Sequence, residues 1–211
     1  MFGTQDLWLF ISAGIALNLV PGQDFVFIAS RSASQGFRAG SVAALGVGAG
    51  TLVHILAAAF GISALLAASA NAYTVIKVLG GLYLLYMGVS MLLKRAAPSN
   101  SVAASLSPSP NKTIFYQGFL TNALNPKVAL FFIAFVPQFI AADAGNVSLS
   151  FIFLGFIFSV NGLIWCVIVA WFSASVGAKL KAQSKLTRWA NTFAGGLFTY
   201  FGISLLMSSN H

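Results

Sequence analysis

Two residues of opposite charge stand where charge is costly. Asp24 closes the stretch NLVPGQD (residues 18–24) and Lys127 closes NALNPK (residues 122–127), and both stretches interrupt long apolar runs. Asparagine, proline and a charged side chain occur in each. An anion and a cation on matching interruptions could grip the ammonium and carboxylate ends of a zwitterion, or they could simply neutralise each other. A charge inside a membrane costs at least ~2.5–3.5 kcal/mol on insertion scales, so neither residue is there without a partner or a task. The coincidence of residue types on two separate runs favours a functional site over a purely structural pair.

The backbone chemistry of the two stretches points the same way. Pro21 has no N–H to continue a helical ladder, and it pushes Val20 away from the α region. Gly22 adds freedom at the same place, so a second helical piece is expected to begin at Pro21. Asn125 is suited to be an N-cap, with Pro126 as the first helical residue after it. Each restart would present a positive helix end with free donors, a setting that suits a carboxylate. The candidate substrate-binding residues are therefore Asn18, Pro21, Gly22, Asp24, Asn122, Asn125, Pro126 and Lys127. Asp24 is also a candidate for proton coupling. So is His54, since histidine is a common proton relay, although a hydrogen-bonded packing role is the commoner one for such a histidine. Asn161 and Tyr86 are expected either to line a cavity or to bond between helices, and Phe131, Phe132 and Phe135 to face lipid or neighbouring helices.

The elements that must position these residues are membrane helices. The chain has 211 residues, 58% hydrophobic and 7% charged, with 20 phenylalanines and no glutamate, a composition that belongs in a bilayer. Runs able to cross it, at about 20 residues each, fall at 6–30, 39–68, 72–93, 113–141, 148–176 and 189–208. Helices are expected throughout, because lipid-exposed coil leaves backbone groups unpaired. Nucleic acid is not an expected partner, since the net charge of +8 is spread between apolar runs. Arg31, Arg38, Lys94, Arg95, Lys112, Lys179, Lys181, Lys185 and Arg188 all fall in alternate loops, which predicts a cytoplasmic face there and both termini outside. Lys77 can snorkel to an interface, whereas Lys127 lies too deep. The N-terminal run has no basic residue ahead of it and no convincing cleavage site, so it is expected to be a retained span. Cys166, alone within an apolar run, offers neither a disulfide nor a cysteine metal site. Small residues around Gly46 and Gly50 predict a close-packing second span, not a phosphate loop.

Residues 94–112, rich in serine and proline, read as a flexible cytoplasmic linker between a three-helix unit at 1–93 and another at 113–211. The halves look related. Asn18 and Asn122 are 104 residues apart, and Gly81, Tyr86, Gly88 and Ser90 match Gly195, Tyr200, Gly202 and Ser204 at an offset of 114. With three spans per half, the second runs oppositely through the membrane. The expected fold is thus an all-α membrane protein of six transmembrane helices in two inverted three-helix repeats, with helices 1 and 4 broken.

NLVPGQD and the run that follows it, the stretch GGLYLLYMGVSML, and GFLTNALNPKVALFFIAFVPQF together resemble the LysE superfamily of bacterial amino-acid exporters, in its homoserine/threonine-efflux branch. The resemblance spans both halves outside the linker. The family more often has a second proline where this chain has Gln23, which adds an amide at the break. The resemblance implies an inner-membrane exporter of small amino acids or their derivatives, driven by proton exchange. Its expected partners are a small zwitterionic substrate, protons, the lipid bilayer and, as an option, a second copy in a homodimer; no cofactor or metal is expected. Divalent-cation efflux, known from other branches, is weakened by the poverty of ligands: three aspartates, one internal histidine and one cysteine. An intramembrane enzyme is weaker still, since the chain has no H-E-x-x-H and no compelling Ser/His constellation.

Overall fold

In the computed structural model, which describes residues 2–68, 70–93, 107–141, 143–176 and 184–207, both interrupted runs are bent helix pairs. Helix α1 (Leu7–Leu19) and α2 (Gln23–Gln35) meet at 55°, and α6 (Asn111–Ala123) meets the segment Pro126–Phe139 at 44°. That second segment opens as α7 (Pro126–Leu130) and continues through a π-helical turn, Phe131–Phe135, and a 3-10 turn, Val136–Phe139. Between the pairs run α3 (Phe37–Leu56), prolonged by a π-helical stretch at Ala57–Ile62 into α4 (Ser63–Ala68), and α5 (Ala70–Leu93). Helices α8 (Val147–Val176) and α9 (Ser184–Met207) follow.

One boundary differs from expectation. Helix α2 begins at Gln23, not Pro21, because Gly22 is extended (φ −127°, ψ −168°) and acts as the N-cap. Pro21 therefore lies in the connector, and Asp24 falls in the first turn, where the helix dipole favours an anion. At the other break, Asn125 is the N-cap, its Oδ1 accepting from Lys127 N at 3.0 Å, and Pro126 opens α7 as expected.

Two helices, Phe37–Leu65 and Val147–Ser175, are long and apolar enough to cross a membrane, and the bent pairs each qualify as one further span. Large apolar side chains such as Trp8, Tyr86, Leu93, Leu124 and Trp171 point outward, as a lipid-facing surface requires. Tyr86 is thus outside the lining of the polar cavity described below. Phe131, Phe132 and Phe135 face neighbouring helices and are completely buried or nearly so.

Close approach between helices comes from glycine. A Cβ at Gly50 would stand 2.6 Å from Phe119 O, and one at Gly118 would stand 2.7 Å from Ala43 O, so α3 and α6 touch backbone to backbone. The same device joins α5 to α9. A Cβ at Gly88 would stand 2.7 Å from Gly195 O, and one at Gly202 would stand 2.8 Å from Gly81 O. Packing of this kind matters most in lipid, where apolar side chains gain little by leaving one apolar medium for another.

Two hydrophobic clusters result. The larger gathers Phe10, Phe131, Phe135, Phe139, Phe198 and neighbours at the α1 and α7 side, and the smaller gathers Ile28, Ala43, Val47, Ile114 and Val169 at the α2 side. Arg31, expected in a loop, is buried beside the smaller cluster. Its guanidinium donates to Gln35 Oε1 (3.1 Å), Ser107 O (3.3 Å), Ser109 Oγ (3.2 Å) and Gln117 Oε1 (2.8 Å). The end of the expected linker is thereby docked on α2, and its last two residues, Asn111 and Lys112, already belong to α6. Residues 94–106, Lys179 and Lys181, and the side chains of Lys77, Lys185 and Arg188 lie outside the described residues.

Overpacking the α3–α6 contact gives a direct test. Gly50→Val is expected to destabilise the detergent-purified protein by at least ~1–3 kcal/mol, read as a lowered Tm. Gly196→Ala, whose Cβ would meet nothing within 4 Å, is expected to change stability by less than ~0.5 kcal/mol. Equal Tm values for the two variants would contradict the contact.

Candidate functional site

Each break leaves helix-end groups without intrahelical partners, and side chains from each break reach across to the other. Lys127, in the first turn of α7, donates from Nζ to Leu17 O at 2.8 Å and to Val20 O at 3.2 Å, the open carbonyls where α1 ends. A cation at that position also complements the negative end of the helix. Asp24, in the first turn of α2, accepts at Oδ2 from Asn122 Nδ2 at 3.0 Å and from Asn125 Nδ2 at 2.8 Å. The two charges are therefore held by separate partners. Their carboxylate and ammonium are not bonded to each other among the described residues.

Gln23 adds a third strut across the breaks, its Nε2 donating to Thr121 O at 2.9 Å. This amide is exposed and turned away from the charges, so the departure from the family pattern fastens the scaffold without touching the cavity. Residues 23 and 127 are 104 apart, as are 17 and 121. The Lys127–Leu17 and Gln23–Thr121 bonds thus join positions related by one 104-residue offset.

Asn122 is the hub. Its Oδ1 faces Thr51 Oγ1 at 3.1 Å, its carbonyl lies 2.9 Å from His54 Nε2, and its amide holds Asp24. The contact with a carbonyl makes His54 Nε2 a donor, and the ring stacks on Phe132 at 6.4 Å. His54 is buried, and among the described residues its hydrogen-bond link to Asp24 runs through Asn122.

A cavity of about 60 Å³ lies among these groups, between the two hydrophobic clusters. At ~10–15 Å³ per probe-sized water it has room for about four to six waters, on the scale of a small amino acid. Of the predicted residues, Asn18, Gly22, Asp24, Asn122 and Lys127 line it, whereas Pro21, Asn125 and Pro126 do not. Asn125 acts through Asp24, and the two prolines act by shaping the backbone. His54 and Asn161 are also absent from the lining.

The far wall comes from residues that sequence reasoning passed over. Ala44, Val47, Gly48 and Thr51 recur at helical spacing on α3, as do Ser159, Gly162, Cys166 and Val169 on α8. That periodicity was the available signal, but in a uniformly apolar helix it does not stand out. Four buried polar atoms on the lining residues have no hydrogen-bond partner among the described residues: Asn18 Nδ2, Asp24 Oδ1, Ser159 Oγ and Trp165 Nε1. The first-turn amides of Gln23, Asp24 and Phe25 likewise have no acceptor there. Toward α7 the cavity ends at Phe158, whose ring stacks on Phe131 at 4.8 Å and meets Phe132 edge-on at 5.5 Å. No group of three or more potential metal ligands occurs among the described residues.

This arrangement offers one anionic acceptor, one cation and several spare donors around a small, otherwise apolar space. Comparison with known proteins accords with it. Residues 15–209 match the family described as LysE type translocator. A leucine efflux protein of Enterobacter sp. (strain 638) is 30% identical over 204 residues, covering 97% of this chain and 96% of its own. An uncharacterized membrane protein of Pseudomonas aeruginosa is 30% identical over 206 residues, covering 96% of this chain and 95% of its own. A leucine efflux protein of Salmonella typhimurium (strain LT2) is 28% identical over 204 residues, with 97% and 96% covered. No solved structure matches. With the family matched along nearly the whole chain, and broken apolar helices around a polar cavity, the chain belongs to the LysE family of translocators, which are transporters and not enzymes.

Proposed function

We propose that the chain is a secondary transporter that exports small amino acids across the bacterial inner membrane in exchange for protons, using the cavity between the breaks as its substrate site. The observation that carries this is Asp24, which has one oxygen held by two asparagines and the other unpartnered on a cavity shared with Lys127. The substrate ammonium meets Asp24 Oδ1. Its carboxylate meets Asn18 Nδ2, the Lys127 ammonium and the free amides of α2. Leu17, Ile28, Val47 and Val169 leave an apolar space for the side chain, and relatives named for leucine efflux make an aliphatic amino acid the first substrate to try. One carboxylate and one amine suit a zwitterion better than a divalent cation.

Coupling follows from competition for one group. Ionised Asp24 binds the ammonium, while protonated Asp24 is neutral and cheap to keep dry. On the cytoplasmic side substrate replaces the proton, and on the outer side a proton replaces substrate. His54 serves by holding Asn122, and Asp24 alone carries the proton.

The architecture proposed with this function is six spans in two inverted three-helix repeats, 1–93 and 113–211, joined by the cytoplasmic linker 94–112. The Gln23–Thr121 and Lys127–Leu17 bonds support it, being equivalent under the 104-residue offset. So do the contacts of Gly81 with Gly202 and of Gly88 with Gly195, which exchange under the 114-residue offset. The proposed orientation has both termini in the periplasm, supported by the basic residues of alternate loops. In that orientation the cavity extends toward the cytoplasm, with the aromatic cluster on its outer side.

Proteoliposomes loaded with leucine, alanine or threonine provide the test. Asp24→Asn is expected to lower proton-driven efflux at least ~30-fold, the equivalent of ~2 kcal/mol for losing a buried charge partner. Unchanged coupling would remove Asp24 from the mechanism.

Lys127→Ala is expected to abolish substrate-dependent stabilisation of the purified protein. Retained stabilisation would assign the carboxylate to the α2 amides and Asn18.

For the orientation, a cysteine at Ser101 in a Cys166→Ala background is expected to resist an impermeant thiol reagent in intact cells. Labelling there would reverse the topology.

A further inference from the structure

We infer that Gly48 and Gly162, facing each other's helices across the cavity, set the size of substrate side chain that the site accepts. This deepens the proposed function and rests on it. Glycine inside a helix is unfavourable relative to alanine, so a mid-helix glycine calls for a reason. For most glycines here the reason is helix contact. At Gly46, Gly50, Gly80, Gly81, Gly88, Gly118, Gly155, Gly195 and Gly202 an added Cβ would approach a neighbouring helix to less than 3 Å.

Gly48 and Gly162 are different. A Cβ on Gly48 would meet only Leu163 Cδ1 at 3.9 Å, and one on Gly162 would have the Asn18 amide as its nearest neighbour, at 3.5 Å. Both distances are ordinary van der Waals contact, so packing does not require glycine at either place. Both residues line the cavity, Gly48 from the middle of α3 and Gly162 from the middle of α8. What a side chain at either position would fill is cavity volume, of which there is only about 60 Å³. Gly61 and Gly196 also have room for a Cβ, but they lie outside the lining and meet nothing within 4 Å, which makes them controls.

The two positions divide the work. Gly162 lies against Asn18, at the end of the cavity that carries the polar anchors, so its missing side chain leaves room for the substrate's α-carbon. Gly48 lies against Leu163, on the apolar wall, and its missing side chain leaves room for the end of the substrate's side chain. The walls stay in place when either is replaced, because no neighbour has to move.

The experiment measures competition by leucine, threonine and alanine for efflux of labelled substrate in proteoliposomes of the wild type, Gly48→Ala, Gly162→Ala and Gly196→Ala. Expected results are Tm values equal to or above wild type for all three variants, and a Gly48→Ala protein whose leucine-to-alanine preference falls ~10-fold or more, the discrimination available from a methyl-sized change in a pocket. Gly162→Ala is expected to weaken all three amino acids together, and Gly196→Ala to match wild type. An unaltered leucine-to-alanine ratio in Gly48→Ala, with its Tm retained, overturns the inference. So does a lowered Tm in Gly48→Ala, since that assigns the glycine to packing. A wild-type protein that moves none of the three overturns the amino-acid reading itself, an outcome seen before any variant is compared.

Discussion

A helix broken in mid-membrane leaves carbonyls at one end and amides at the other with no water to satisfy them, and this structure depends on how those groups are met. The open carbonyls of α1 are met by the Lys127 ammonium, and the Asp24 carboxylate just past the same break is met by two asparagine amides from the other one. Each break thus supplies polar groups that the other needs. Charge buried among apolar helices is expensive, so this exchange of polar groups ties the two bent pairs to each other. The positions of Asn122 and Asn125 follow from the same need: one lies in the last turn of α6, the other caps α7, and both amides converge on a single oxygen.

Glycine packing brings the partners within reach. Contact between the backbones of α3 and α6 at Gly50 and Gly118 sets Thr51 and His54 against Asn122, so the hub is held from three directions. Above and below it the side chains separate into two apolar clusters, and the cavity occupies the polar layer between them. The α7 side is filled by interlocking phenylalanines and the α2 side by smaller residues such as Ala43 and Val47, so the polar cavity extends along the α2 side. The π-helical turn at Phe131–Phe135 belongs to the same packing, since it aims Phe131 and Phe132 at Phe158.

What was legible in the sequence was the chemistry that breaks helices. Proline, and asparagine before proline, act through their own backbone, so both bends and the Asn125 cap could be read locally. The start of α2 was misplaced by two residues because Gly22, once extended, can serve as N-cap, and nothing local ranks that option below a helix starting at Pro21. The α8 wall was hidden for a different reason. Ser159, Gly162 and Cys166 gain meaning only from what faces them, and in a helix apolar on all sides no stripe marks the face turned inward. Arg31 was misread by the same logic: a loop arginine looks exposed until Ser107, Ser109 and Gln117, distant in sequence, close around it.

On the proposed inverted-repeat reading, the 104-residue offset gives a near-symmetric scaffold that carries an asymmetric site. Where equivalent positions do equivalent work, as Gln23 and Lys127 do in reaching Thr121 O and Leu17 O, they hold the breaks together. Where they differ, they make the site. The counterpart of Lys127 is the neutral Gln23, turned outward, and the counterpart of Asp24 is Val128, a buried apolar residue. Had both halves kept the same residues, the cavity would face two like charges or none, and a zwitterion would find no polarity to match. Placing the anion on one break and the cation on the other gives the cavity two distinguishable ends. Of the two, the cation is committed to backbone carbonyls, whereas the anion keeps one oxygen free. Lys127 therefore supports the fold as well as the charge balance, and Asp24 is the group left able to exchange one partner for another.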